Sequence, residues 1–185
     1  MNKILSNSEL SATDLKTRNN YLKKLVNIAS NSPENLYQDL EKISEYFESE
    51  NKIIKSAGIE LVGYLSSVDT EDKIENYIKP LINYLHSGQL NVSKSAISAL
   101  GLIAQNKSKL RNKIIKEFLK IENDRFNTEY SKNILIRKIL KEFKKLLTMI
   151  KYDEQVVDFI MRAKSNKNPS TKKKAEEILL QLTLS

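Results

Sequence analysis

The chain has 185 residues, 40% of them apolar and 29% charged. That mixture supports one packed domain or one short repeat array, and no apolar run approaches the roughly 20 residues of a membrane-spanning helix. Cysteine and tryptophan are absent, and four glycines with three prolines leave little material for a loop-rich or β-rich fold; disulfides, thiolate metal sites and a cysteine nucleophile are excluded. The net charge of +8 is unevenly placed: residues 1–92 hold 10 Lys/Arg against 13 Asp/Glu, a net of −3, and residues 93–185 hold 21 against 10, a net of +11.

Met1 to Asn7 carries one lysine and no apolar stretch of leader length, so the cytoplasm is the expected location. Ser11 and Asp14 have capping-box spacing, and Tyr21 to Ala29 reads as one helix of a pair whose partner is degenerate. Ser32-Pro33-Glu34 combines an N-cap, a proline at the first helical position and an acid in the first turn. Leu36, Tyr37, Leu40, Ile43 and Phe47 then form one apolar stripe at helical spacing, followed by a second helix from Ile53 to Leu65.

Asp69 is a further cap, and with Glu71, Asp72 and Glu75 it forms the densest acidic cluster. The alternating ligands and bend glycine of a calcium loop are missing, so capping and the helix dipole account for these acids. The next stripe is Ile74, Ile78, Leu81, Ile82 and Leu85, with Pro80 removing one backbone donor and kinking its helix. His86-Ser87-Gly88 stops that helix: the histidine bonds the last carbonyls or meets the helix dipole favourably, and the glycine supplies a left-handed residue.

Asn91 caps a helix from Val92 to Ala104. Ile114, Ile115, Phe118 and Leu119 begin another pair, whose second helix runs from Tyr130 to Ile150 after a Thr128 cap. Asp153, then Val156, Val157, Phe159 and Ile160, then Asn168-Pro169 and Thr171 to Leu182 complete the pattern. No segment alternates with period two.

A longer period overlies this one. Leu40, Leu81, Phe118 and Phe159 occupy matching places in the first helices, and Ala57, Ala96, Ile134 and Ala175 in the second, each set spaced close to forty residues. The expected organisation is a single domain over 1–185, with a cap helix at 10–31 and repeats at 33–67, 70–106, 109–150 and 153–183. Ala57, Gly58, Gly63, Ala96, Ala99, Gly101 and Ala104 lie on second helices, where close helix approach offsets the roughly 1 kcal/mol cost of a mid-helix glycine.

The run Ile78-Lys79-Pro80-Leu81-Ile82-Asn83-Tyr84-Leu85, with Val92-Ser93-Lys94-Ser95-Ala96-Ile97-Ser98-Ala99-Leu100-Gly101-Leu102-Ile103-Ala104 after it, resembles a HEAT repeat of the armadillo-like helical-repeat class. The resemblance is most specific over about 76–106, good over 34–66 and 169–182, and rests on spacing elsewhere. It implies an all-α, right-handed α-α superhelix of about four hairpins plus a partial N-terminal repeat. The chain departs from the family at the basic residue usually found three positions before the repeat alanine: Ile54, Ser93, Ser131 and Lys172 stand there.

No catalytic motif emerges. His86 is the single histidine, so no histidine pair binds zinc; Gly58 and Gly63 lie within a helix and lack a phosphate-loop ending, and no nucleophile elbow is present. The expectation is a protein that is not an enzyme and has no cofactor, metal or small-molecule substrate.

The basic segments carry the binding hypothesis. Arg137, Lys141, Lys144 and Lys145 fall at i, i+4, i+7 and i+8 of the Tyr130–Ile150 helix, opposite Ile136, Ile139, Leu140, Phe143, Leu147 and Ile150. The HEAT resemblance implies that second helices line the concave surface, which sets Lys94, Lys132 and Lys138 beside this stripe and extends it through Lys172, Lys173 and Lys174. The leading expectation is a scaffold binding another protein, one with an acidic segment, through that face. The alternative is a nucleic-acid-binding solenoid, although specific readout favours arginine forks and stacking aromatics, and 26 of the 31 basic residues are lysine. A third reading places the chain in a larger assembly, contacted through Leu5 to Leu25 and Ile178 to Leu184.

Overall fold

The computed structural model describes residue 5 and residues 14–184; Ser11 and residues 10–13 of the expected cap helix lie outside the described residues. Among the described residues there are ten α-helices, two 3-10 turns and no strand.

Helix α1 (Leu15–Asn31) starts where Asp14 accepts the backbone N–H groups of Lys16 and Thr17 at 3.2 and 2.8 Å. It buries Tyr21, Leu22, Leu25 and Ala29. The stripe expected as one helix over Leu36 to Phe47 is divided into α2 (Glu34–Tyr37), α3 (Leu40–Ser44) and a 3-10 turn (Glu45–Glu48). Each piece packs on the next helix, α4 (Lys52–Leu65). Leu36, Leu40, Ile43, Tyr46 and Phe47 are all buried across the breaks. Ser32 gives no side-chain cap to α2. Asn51 does cap α4, accepting from Ile53 and Ile54.

Pro80 sits inside α5 (Glu75–Leu85) without ending it. The left-handed residue after that helix is Gly88, at φ 72°. Helix α6 (Leu90–Asn106) begins one residue before Asn91, which therefore lies in its first turn and caps nothing. The hydroxyl of Ser93 donates instead to the Tyr84 carbonyl at 3.1 Å, tying α6 back to α5. Helix α7 (Ser108–Leu119) ends in a second 3-10 turn (Lys120–Asn123). Thr128, Asp153 and Asn168 each accept a backbone N–H at the starts of α8 (Glu129–Ile150), α9 (Glu154–Lys164) and α10 (Pro169–Leu184).

Successive second helices are neighbours: α1 packs on α4, α4 on α6, α6 on α8 and α8 on α10. On the other side, the α2–α3 segment covers α4, α5 covers α6, and α9 covers α10 and touches α7. One apolar core runs through all of them. Its aromatic thread passes from Phe118 to Phe143 to Phe159, with centroids 6.1 and 5.7 Å apart, inside the favourable range for aromatic pairs. Helices α4 and α6 approach closely at Gly63, where an added Cβ would fall 2.5 Å from the Ala99 Cα.

Polar contacts between hairpins repeat the period seen in the sequence. Asn106 donates to the Ser66 hydroxyl across 40 residues, and Tyr84 to the Phe47 carbonyl across 37. Thr171 donates to the Asn133 carbonyl across 38, and Arg162 to the Glu122 carboxylate across 40. The acidic cluster is absorbed the same way: Lys107 and Lys109, from the start of the next hairpin, pair with Asp69, Asp72 and Glu75. His86 does not spend its ring on helix-end carbonyls. Nδ1 lies 2.6 Å from Asp124 Oδ2, and Nε2 faces Glu117 Oε2 at 3.4 Å.

Candidate interaction groove

A groove of about 660 Å³ opens across α1, α4, α6 and α8. Helix α1 contributes Asn19, Leu22, Lys23, Val26, Asn27 and Ser30, positions spaced by three and four that share one face. Lys52, Ile53, Ser56, Ala57 and Glu60 come from α4, Asn91, Lys94 and Ser95 from α6, and Lys138 from α8. All four are second helices, set side by side because small residues such as Gly63 and Ala99 let their backbones approach closely.

The floor is aliphatic and the rim is cationic. Val26 and Ile53 supply the accessible apolar surface over the buried Leu22 and Ala57; Ile53 is 50% exposed, high for a side chain of its size. Among the described residues Lys23, Lys52, Lys94 and Lys138 oppose a single acid, Glu60, whose Oε1 accepts the Ser95 hydroxyl at 2.9 Å. Ser56 Oγ and Asn19 Oδ1 are buried with no hydrogen-bond partner among the described residues.

Lys138 is the most enclosed cation of the groove. Burial pushes its ammonium below the ordinary lysine value; Glu142 and Glu60 oppose that shift, while Lys145 and Lys141 add to it. Among the described residues neither a hydrogen bond nor an ion pair closes on its Nζ. The nearby Glu142 is itself buried, seated against Gly101, where an added Cβ would fall 2.6 Å from its Oε2, and Lys145 holds it at 2.7 Å.

The basic residues singled out in the sequence separate into four groups. Lys94 and Lys138 meet in the groove. Lys144 pairs with Glu177 at 3.5 Å and Lys145 with Glu142. Lys132 leaves the stripe altogether: its Nζ donates to the Glu122 carbonyl at 2.9 Å, because it lies five residues before Arg137 and so about 140° around the helix. Arg137, Lys141, Lys172 and Lys173 have no ion pair among the described residues. Lys23, Lys52 and the apolar floor were not singled out in the sequence. They belong to the half of the chain with negative net charge, and only the adjacency of α1, α4 and α6 brings them together.

A second, smaller concavity lies at the other end, lined by Tyr152, Val157, Met161, Leu179 and Leu182 with Lys151 and Lys164. Among the described residues no three acidic or histidine side chains gather into a metal-binding cluster, and no helix is long and apolar enough to cross a membrane. No protein-family model matches the chain, and no curated protein matches it significantly.

Proposed function

We propose that the chain is a non-catalytic cytoplasmic scaffold, a right-handed superhelix of about four HEAT-like hairpins with a partial N-terminal repeat, that binds another protein through its second helices. The observation carrying this reading is the groove over α1, α4, α6 and α8, which combines exposed aliphatic surface with fixed positive charge. The superhelical part draws its support from side-by-side packing of successive second helices and from hydrogen bonds joining residues 37 to 40 apart. A stack of near-identical units, each touching only its neighbours, makes contacts at one repeat length.

The alternative, a nucleic-acid-binding solenoid, draws on Arg137, Lys141, Lys172 and Lys173. It is weakened by Glu142 and Glu177, which hold Lys145 and Lys144, and by a groove whose lining, among the described residues, contains neither arginine nor an aromatic ring.

A photo-crosslinking residue placed at Ile53, on the groove, and separately at Lys116, on the exposed side of α7, tests the reading in the native cell. Protein adducts from position 53 but not 116 are expected. Adducts from 116 alone, or nucleic-acid adducts alone, overturn it.

A further inference from the structure

The groove makes specific demands on an occupant. Among the described residues its lining has an excess of three positive charges, four lysines against Glu60, and Glu60 already accepts a hydrogen bond from Ser95. Lys138 is the decisive member. A cation withdrawn from water with no direct partner is unfavourable unless a counter-charge arrives, and here the two nearest carboxylates are engaged by Ser95 and Lys145. Along the same groove, Val26 and the half-exposed Ile53 offer aliphatic surface that a phosphodiester backbone does not use and apolar side chains do.

Size and polarity restrict the occupant further. Four neighbouring helices at interaxial distances of about 8–10 Å span roughly 24–30 Å. A fully extended peptide covers that with roughly eight residues at about 3.3 Å each. An extended peptide also needs hydrogen-bond partners for its backbone, and the amides of Asn27 and Asn91 stand along the groove.

We infer that the groove is the docking site of an extended acidic segment of a partner protein, its aliphatic side chains on Ile53 and Val26 and a carboxylate received between Lys94 and Lys138. This rests on the scaffold reading above and moves the site from the basic C-terminal half to the N-terminal end of the second-helix row. Both kinds of contact act together: the ion pair forms in a partly dehydrated place, where charge pairing counts for more than at the rim, and the aliphatic contacts exclude water from it.

The test is selection of a displayed library of random peptides of about 12 residues on the full chain, with Lys94→Glu/Lys138→Glu and the rim variant Lys52→Glu in parallel. Circular dichroism establishes that each variant is folded. Enriched peptides are expected to combine Asp or Glu with Leu, Ile or Val, and each charge reversal should weaken them about tenfold or more. Because Lys52 is exposed, its substitution keeps the test valid if the double variant does not fold. No enrichment, enrichment of basic peptides, or binding indifferent to all three lysines overturns the inference. The crosslinks separate the two failures: adducts from position 53 with no acidic preference leave the scaffold standing without this ligand chemistry. Displacement of the selected peptides by duplex DNA at physiological salt would instead make the groove a general polyanion site.

Discussion

Lys107 closes on Asp69 from 38 residues away: Nζ lies 3.0 Å from Oδ2, and the Asp69 side chain has no exposure to solvent. The same carboxylate accepts the Tyr37 hydroxyl at 2.6 Å and the backbone N–H groups of Lys73 and Ile74 at 2.9 and 3.3 Å. Tyr37 belongs to the α2–α4 hairpin, Asp69 to the turn after it, and Lys107 to the turn after α6. One buried acid therefore joins three successive segments of the stack.

Removing it should be costly. Asp69→Asn leaves the Lys107 ammonium with only the half-exposed Asp72 as counter-charge, and Lys107→Met leaves the buried Asp69 carboxylate with no cation; loss of one member of a buried pair costs about 3–5 kcal/mol. The Arg162–Glu122 pair spans a similar sequence distance at 2.7 Å, but its arginine is exposed, and Glu122→Gln should cost about 1 kcal/mol or less. Urea unfolding of the three variants checks the contrast. Equal, small losses would show that burial of Asp69 carries no special weight.

The same pair sets a pH dependence. Burial alone pushes the Asp69 carboxyl up, but hydrogen bonds from Tyr37, Lys107 and the Ile74 N–H, with the Lys107 charge, hold it below the usual range. A carboxylate whose folded pKa is depressed adds stability above its unfolded value of about 3.9, and that stability is lost as pH falls further, through the folded value. Burial pushes Lys107 down and its bonds to Asp69 and Asp72 more than reverse this, so it sits above the ordinary value. Its contribution is complete below about 10.4 and is lost as pH rises through the folded value. Urea midpoints should decline at both extremes, and Asp69→Asn should flatten the acid limb. An unchanged acid limb in that variant would assign acid unfolding to other carboxylates.

The contrast between Asp69 and its neighbours also marks how far the sequence can be read. Apolar periodicity locates the helices because every turn repeats the signal, and the all-helical class follows from it. The caps at Thr128, Asp153 and Asn168 were legible because each acts within three residues. Lys107 was not legible as the partner of Asp69, nor Asp124 as that of His86, because such pairings depend on which hairpins stack and on side-chain reach. The groove was half legible for the same reason. Lys94 and Lys138 stood out by charge, whereas Lys23, Lys52 and Ile53 acquire meaning only when α1 and α4 are laid beside α6. The break after Tyr37 was hidden because the apolar stripe continues through it.

Close packing of α4 and α6 gives a third prediction. Gly63→Ala should gain about 1 kcal/mol of helix propensity. The new Cβ, however, would meet the Ala99 backbone at 2.5 Å, and overpacking of this kind costs about 1–3 kcal/mol. A lower thermal midpoint is expected, since backbone cannot swing aside. Gly101→Ala differs: its Cβ meets the Glu142 side chain, which can rotate outward. That variant should stay closer to wild type and free Lys145 from its ion pair. If Gly63→Ala were the more stable of the two, the helices are not held at their closest approach there.

The cations of α8 supply the last prediction, because the structure gives similar residues different work. Lys132 spends its ammonium on the Glu122 carbonyl, and Lys132→Met should cost about 1.5–3 kcal/mol, the range for a hydrogen bond to a charged group. Lys141 is exposed with no ion pair among the described residues, and Lys141→Ala should stay within about 0.5 kcal/mol of wild type. Any affinity for duplex DNA should follow the opposite order, falling with Lys141 and unmoved by Lys132. With Arg137, Lys141, Lys172 and Lys173 the cations of this stripe outside the groove that have no ion pair among the described residues, the plot of log affinity against log salt should be no steeper than about −4, near one unit per phosphate neutralised. A steeper slope would mean that Lys144 and Lys145 leave Glu177 and Glu142 to meet the ligand. The ion pairs that argue against a polyanion surface would then be its resting state, and the alternative reading would gain the cations it lacks.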